Sequence, residues 1–165
     1  MKSRFDDEAL IARAAAVAIE LKAQGRTLAL AESCTGGWIA KVCTDLAGSS
    51  AWFERGYVTY SNLAKSEALG VRPAALQRFG AVSEMVAAEM ARGARRAAHA
   101  DWAVAVTGIA GPDGGSPGKL VGTVCFGWIG PDDEAETETC LFAGERDEVR
   151  RRTVAHALDG LLARL

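Results

Sequence analysis

A chain of 165 residues, 49% hydrophobic and 24% charged, has the length and balance of one globular domain with a substantial core. Its formal net charge of −2 at pH 7 argues against a non-specific nucleic-acid binder, and no basic run interleaves with aromatic residues. No apolar stretch approaches the roughly 20 residues that span a bilayer, and the charged start lacks the apolar region of a secretion signal, so a cytoplasmic location without a membrane partner is expected.

Positions 6–24 read as a helix, with Leu10, Ala14, Val17 and Leu21 on one face, acidic residues at its start and Gly25 at its end. A short buried strand follows at 27–32, then a helix at 35–47 that stops at Gly48. The stretch 52–60 is rich in aromatic and β-branched residues and reads as a strand. Short helices follow at 63–69 and from Pro73. Ser83 caps a longer helix that ends near His99. Trp102 to Gly108 is a second buried strand, 108–118 a Gly/Pro-rich loop, and 120–129 and 137–142 are strands joined by a polar turn. The last helix runs over 146–165. Alternation of this kind predicts an α/β domain of three α/β/α layers, residues 1–165 as one unit. The short 130–135 turn suits a hairpin, so the sheet is expected to be mixed and mostly parallel.

Two segments stand out because each leaves a buried strand through a glycine-rich turn. The first is Ala31-Glu32-Ser33-Cys34-Thr35-Gly36-Gly37. A hydroxyl there lies at the carboxyl edge of a sheet, where open α/β sheets bind ligands, and beside a helix start that favours anions. Ser33 thus suits a nucleophile or an anion ligand; Ser33 and Thr35 equally suit a helix cap. The second is Thr107-Gly108-Ile109-Ala110-Gly111-Pro112-Asp113-Gly114-Gly115. Its glycines permit close backbone approach and an anion-binding nest, although it is neither a Walker motif nor a dinucleotide fingerprint. A plain surface turn is the competing reading.

A third segment places Tyr60 and Lys65 around the end of a strand, and Arg146 stands before the last helix, a position suited to a phosphate or carboxylate. Surface solvation is the plain alternative for both cations. Neither histidine, His99 or His156, follows a strand-to-turn junction, so a Ser-His-Asp triad is not expected. Were Ser33 a nucleophile, its base would be Lys, Glu or Tyr, and a lysine base needs a lowered pKa.

The four cysteines, at 34, 43, 125 and 140, form no Cys-x-x-Cys pair and have no histidine nearby in sequence, so no structural zinc site is expected. Three read as small core residues; Cys34, beside Ser33, is a rival nucleophile. The carboxylates Glu32, Asp113 and Glu145 are scattered singly, and neither a metal nor a redox cofactor is expected.

The two glycine-rich segments, together with Gly48-Ser49-Ser50-Ala51-Trp52-Phe53-Glu54-Arg55-Gly56, Tyr60-Ser61-Asn62 with Lys65, Gly80-Ala81-Val82-Ser83 and Val121-Gly122-Thr123-Val124, resemble the CinA carboxy-terminal domain family. The resemblance runs from about 8 to 163 and looks like the stand-alone form, without a preceding molybdopterin-binding-like domain. Its enzymatic members are nicotinamide-nucleotide amidases, so the resemblance implies hydrolysis of nicotinamide mononucleotide to nicotinate mononucleotide and ammonia. It implies Ser33 as nucleophile, Lys65 and Tyr60 as its catalytic partners, and Thr107 and Arg146 as further site residues. The substrate's anionic part is then expected at Thr35 and Gly36 in the first turn, or at Gly108, Gly111 and Gly114 in the second loop together with Arg146. The resemblance also implies a homo-oligomer with a small nucleotide as its partner. Two other readings remain at this stage: a nucleotide-binding domain without catalysis, and a serine amidohydrolase for a different small amide.

Overall fold

A computed structural model describes residues 3–165. Helix α1, Asp7–Gln24, opens at Asp6, whose carboxylate accepts the Ala9 amide at 2.9 Å, and closes at Gly25 in the left-handed region. Strand β1, Leu28–Glu32, is buried over its whole length. Helix α2 is shorter than its hydrophobic pattern suggests, Trp38–Thr44, because Gly36 and Gly37 both take positive φ and hold 33–37 as a turn. A 3₁₀ turn, Ser49–Ala51, leads into β2, Phe53–Val58. Helices α3, Asn62–Leu69, and α5, Glu84–Ala98, are capped by the hydroxyls of Ser61 and Ser83, and α4, Pro73–Phe79, carries its proline at the first position, where no amide is needed. Then come β3, Trp102–Gly108, β4, Thr123–Ile129, β5, Ala135–Leu141, and α6, Arg146–Leu162.

The five strands form one sheet in the order β2-β1-β3-β4-β5. β1 pairs parallel with both β2 and β3, whereas β3–β4 and β4–β5 are antiparallel. Four strands therefore point one way and only β4 opposes them, although parallel and antiparallel pairings are equal in number. From β1 the chain goes first to one neighbour and later to the other. The carboxyl end of β1 is thus a switch point, where a crevice opens in α/β sheets.

Strand alternation sorts the core into two unequal faces. Leu28, Leu30, Val104, Val106, Phe126 and Trp128 pack on one side with α1, α2 and α6. Ala29, Ala31, Ala103 and Ala105 lie on the other, under α5, with Val86, Met90 and Ala91. The small residues let α5 lie close. Gly127 leaves no room for a Cβ under the Ala87 carbonyl, and Gly93 leaves none under the Leu69 carbonyl of α3. Among the described residues no helix is long and apolar enough to cross a membrane.

Candidate active site

The carboxyl ends of three adjacent strands converge on one crevice. Ser33 follows β1, and its amide donates to the Val106 carbonyl of β3 at 3.1 Å. Thr59 follows β2, and its amide donates to the Glu32 carbonyl at 2.9 Å. Thr107 and Gly108 close β3. Ser33, Tyr60, Lys65, Thr107, Gly108, Gly111, Gly114 and Arg146 line a single cleft of about 270 Å³, with Cys34 and Asp113 also on its wall.

Lys65 sits in the first turns of α3 and is only 1% exposed. Its Nζ lies 3.0 Å from Ser33 Oγ, 2.8 Å from the Thr59 carbonyl and 3.2 Å from the Tyr60 carbonyl. Burial lowers its pKa from the ordinary 10.5, because water no longer solvates the ammonium. Among the described residues no carboxylate pairs with it. A neutral amine has two N–H donors and one lone pair. Two carbonyls and one hydroxyl can all accept from an ammonium; after loss of a proton the amine keeps a donor for each carbonyl and a lone pair for the Ser33 hydroxyl.

The Tyr60 side chain does not stand between Lys65 and Ser33. The residue is 60% exposed, and its hydroxyl accepts from Arg146 at 3.2 Å. Only its backbone carbonyl touches the amine. Arg146 also donates to the Gly111 carbonyl at 2.6 Å, which ties the glycine loop to the start of α6 and leaves further guanidinium N–H groups beside the cleft. Thr107 is buried, and its hydroxyl donates to the Ala81 carbonyl at 2.8 Å, fixing the segment before α5 against the cleft. Gly111 and Gly114 both hold positive φ, the conformation that only glycine adopts without strain.

Thr35 and Gly36 are not brought into this cleft. Thr35 is fully buried and turned inward, where its hydroxyl donates to Glu32 at 2.6 Å, and Gly36 faces a separate depression with Trp38, Lys41 and Arg150. At the start of α2, where an anion is expected, the protein supplies a carboxylate of its own. The Glu32 carboxylate reaches across the turn and accepts the Ile39 amide at 2.8 Å and the Ala40 amide at 2.9 Å. The N-terminus of α2 is filled by the protein's own anion. Burial pushes the Glu32 pKa up, while the Thr35 hydroxyl and the amides of Ala40, Ile39 and Gly37 pull it back.

Glu32 and Arg150 are two supports that the residue-by-residue reading passed over. Arg150 donates to the Cys34 carbonyl at 3.1 Å and to the Thr35 carbonyl at 3.0 Å, with its guanidinium 5.0 Å from the centre of the Trp38 ring. A glutamate ending an otherwise apolar strand was one available signal. An arginine one helical turn after Arg146, and so on the same face of α6, was the other. Cys34 is buried, and desolvation first, then the nearby Glu32 charge, push its thiol up to about 12. It is therefore a poor nucleophile at neutral pH.

The CinA C-terminal domain family matches residues 11–165. Over 141 residues the chain is 60% identical to the nicotinamide-nucleotide amidohydrolase PncC of Escherichia coli K12, an alignment that covers 86% of each protein. It is 56% identical over 132 residues to PncC of Pseudomonas putida, covering 80% of this chain and 82% of that one. The crystal structure of the competence/damage inducible protein CihA from Agrobacterium tumefaciens superposes with a TM-score of 0.92 at 41% identity, over 99% of this chain and 98% of the other. The fold is thus shared with that protein, and the chain belongs to the CinA C-terminal domain family.

Proposed function

We propose that this protein hydrolyses the carboxamide of nicotinamide mononucleotide, giving nicotinate mononucleotide and ammonia, with Ser33 as nucleophile and Lys65 as its base. The observation that carries the reading is the 3.0 Å contact between Ser33 Oγ and the buried, carboxylate-free Lys65 amine. The names of relatives 56% and 60% identical supply the substrate.

Neutral Lys65 accepts the Ser33 proton as Oγ attacks the carboxamide carbon. The two carbonyls of Thr59 and Tyr60 stabilise the ammonium that forms, since each accepts one of its hydrogens. Negative charge builds on the former carbonyl oxygen. The Cys34 amide, which has no backbone carbonyl partner among the described residues, is the first donor available to it, with the 108–111 loop opposite. Lys65 then returns the proton to the carboxamide nitrogen, which leaves as ammonia as the C–N bond breaks, and a water activated by the same amine hydrolyses the acyl-enzyme. Arg146 and the 108–114 loop hold the 5′-phosphate, and their binding energy orients the amide for attack.

Ammonia release from nicotinamide mononucleotide tests this directly. Turnover by the native protein and its loss in a folded Ser33→Ala variant support the reading. Tight binding without ammonia release would instead make the cleft a nucleotide sensor. Equal kcat/KM for nicotinamide riboside and the mononucleotide would remove the phosphate from the Arg146 end.

A further inference from the structure

Away from the cleft, strand β5 and helix α6 bring together three side chains that the sequence holds apart. Alternation along β5 places Glu138 and Cys140 on the face that meets α6, opposite Phe126 and Val124 of β4. His156 reaches them from α6. Its Nε2 lies 2.9 Å from Glu138 Oε2 and 3.5 Å from Cys140 Sγ, and Cys140 Sγ lies 3.6 Å from Glu138 Oε1. One ligand atom from each residue falls within 4.8 Å of the others. The imidazole is wedged against Phe126, 4.6 Å between ring centres, with Phe142 and Trp128 near 6 Å, so its orientation is fixed by packing.

We propose that Glu138, Cys140 and His156 form a binding site for a zinc-class divalent cation, separate from the amidase cleft. Zinc bonds of about 2.3 Å to sulfur and about 2.0–2.2 Å to nitrogen and oxygen, at tetrahedral angles, put sulfur about 3.5 Å from either other ligand. The 3.5 Å from sulfur to nitrogen and 3.6 Å from sulfur to Oε1 have that size; His156 Nε2 now meets the other oxygen, Oε2, so the carboxylate must turn to present one oxygen to the ion. Thiolate, imidazole and carboxylate together select zinc or cobalt over magnesium or calcium, which want oxygen alone. One thiolate and one carboxylate neutralise a dication, and binding releases the Cys140 proton to solvent. Glu138 is half-exposed, so a water completes the fourth position from the solvent side. The expected lack of a cysteine–histidine pairing rested on sequence distance; the fold closes the 16 positions between Cys140 and His156. The metal would clamp edge strand β5 to α6 about 15 Å along the helix from Arg146, so its effect is on stability.

The experiment titrates the chelator-treated full chain with Co²⁺ and then Zn²⁺. Expected are one equivalent of cobalt with thiolate-to-cobalt charge-transfer absorption, its displacement by zinc, and a zinc-dependent rise in Tm. Cys140→Ser should abolish the absorption and the Tm rise. Glu138→Gln, a change at an exposed residue, should weaken binding at least about tenfold while the apo protein keeps its fold. No thiolate absorption in the native chain under excess cobalt overturns the proposal. So does absorption that survives in Cys140→Ser, or affinity unchanged in Glu138→Gln, in which case Glu138 and His156 form an ion pair only.

Discussion

Lys65 Nζ stands 3.0 Å from Ser33 Oγ although 32 positions separate the two residues in the chain. The pairing exists because β1 and β2 are parallel neighbours, so the turn after one strand and the helix after the other begin at the same edge. Replacing Lys65 by Met keeps the length of the side chain and removes the proposed base. The expected result is a fall in kcat of about 10²- to 10⁴-fold, the usual weight of a general base. Folding should be retained, as judged by circular dichroism and urea titration.

Activity should depend on pH with a definite sign. Only the free amine accepts a proton, so kcat/KM should rise with pH along a limb centred below 10.5. Stability follows the same direction. Lys65 binds a proton more weakly in the folded state, so its contribution is greatest above the unfolded value and is lost as pH falls through the lowered folded one. A pH–rate profile that is flat across this range, or whose limb lies at or above 10.5, would exclude Lys65 as the base.

Glu32→Gln tests the support beneath the nucleophile. An amide replaces one carboxylate oxygen with a donor, which then faces either the Ala40 amide or the Ile39 and Thr35 donors. Leaving such buried groups mismatched costs about 1–3 kcal/mol. The midpoint of urea unfolding should drop accordingly, and kcat should fall as the 33–37 turn loosens.

Arg150→Met removes the clamp on the Cys34 and Thr35 carbonyls but leaves an apolar stem beside Trp38. This side chain does not line the cleft, so KM should change little. Misplacement of the nucleophile should lower kcat, by up to about 10²-fold for a shift near 1 Å. A large change in KM with kcat intact would show that Arg150 binds substrate instead.

Cys34 offers the control for the choice of nucleophile. Its buried thiol, pushed up to about 12, should resist iodoacetamide at neutral pH. Cys34→Ala should keep most of the activity that Ser33→Ala loses. Inactivation by alkylation that Cys34→Ala prevents would make the thiol the attacking group.

Much of the fold was legible because local chemistry and packing agree. Asp6, Ser61 and Ser83 cap the helices they precede, and Trp102 to Gly108 reads as a strand because apolar residues fill both of its faces. The start of α2 was misread, since an apolar pattern continues smoothly across two glycines whose backbone cannot stay helical there. β4 begins at Thr123 rather than Leu120, because Gly122 takes positive φ and a Cβ on it would strike the Phe142 carbonyl. At the site, the turns carrying Ser33 and Thr107 were visible as hydroxyls after buried strands. The inward rotation of Thr35 was not, because it depends on Glu32 folding back to meet a helix end that sequence alone does not locate.

The near-contact of α5 with α3 beds the helix that carries the amine. Leu69, whose carbonyl rests on Gly93, lies one turn beyond Lys65 on the same helix. A single methyl at position 93 would strike that carbonyl, so one of the two helices must shift. The bed of the helix that carries Lys65 thus depends on a hydrogen atom of its neighbour, and any attempt to harden this scaffold by filling glycines with alanine should leave that one untouched.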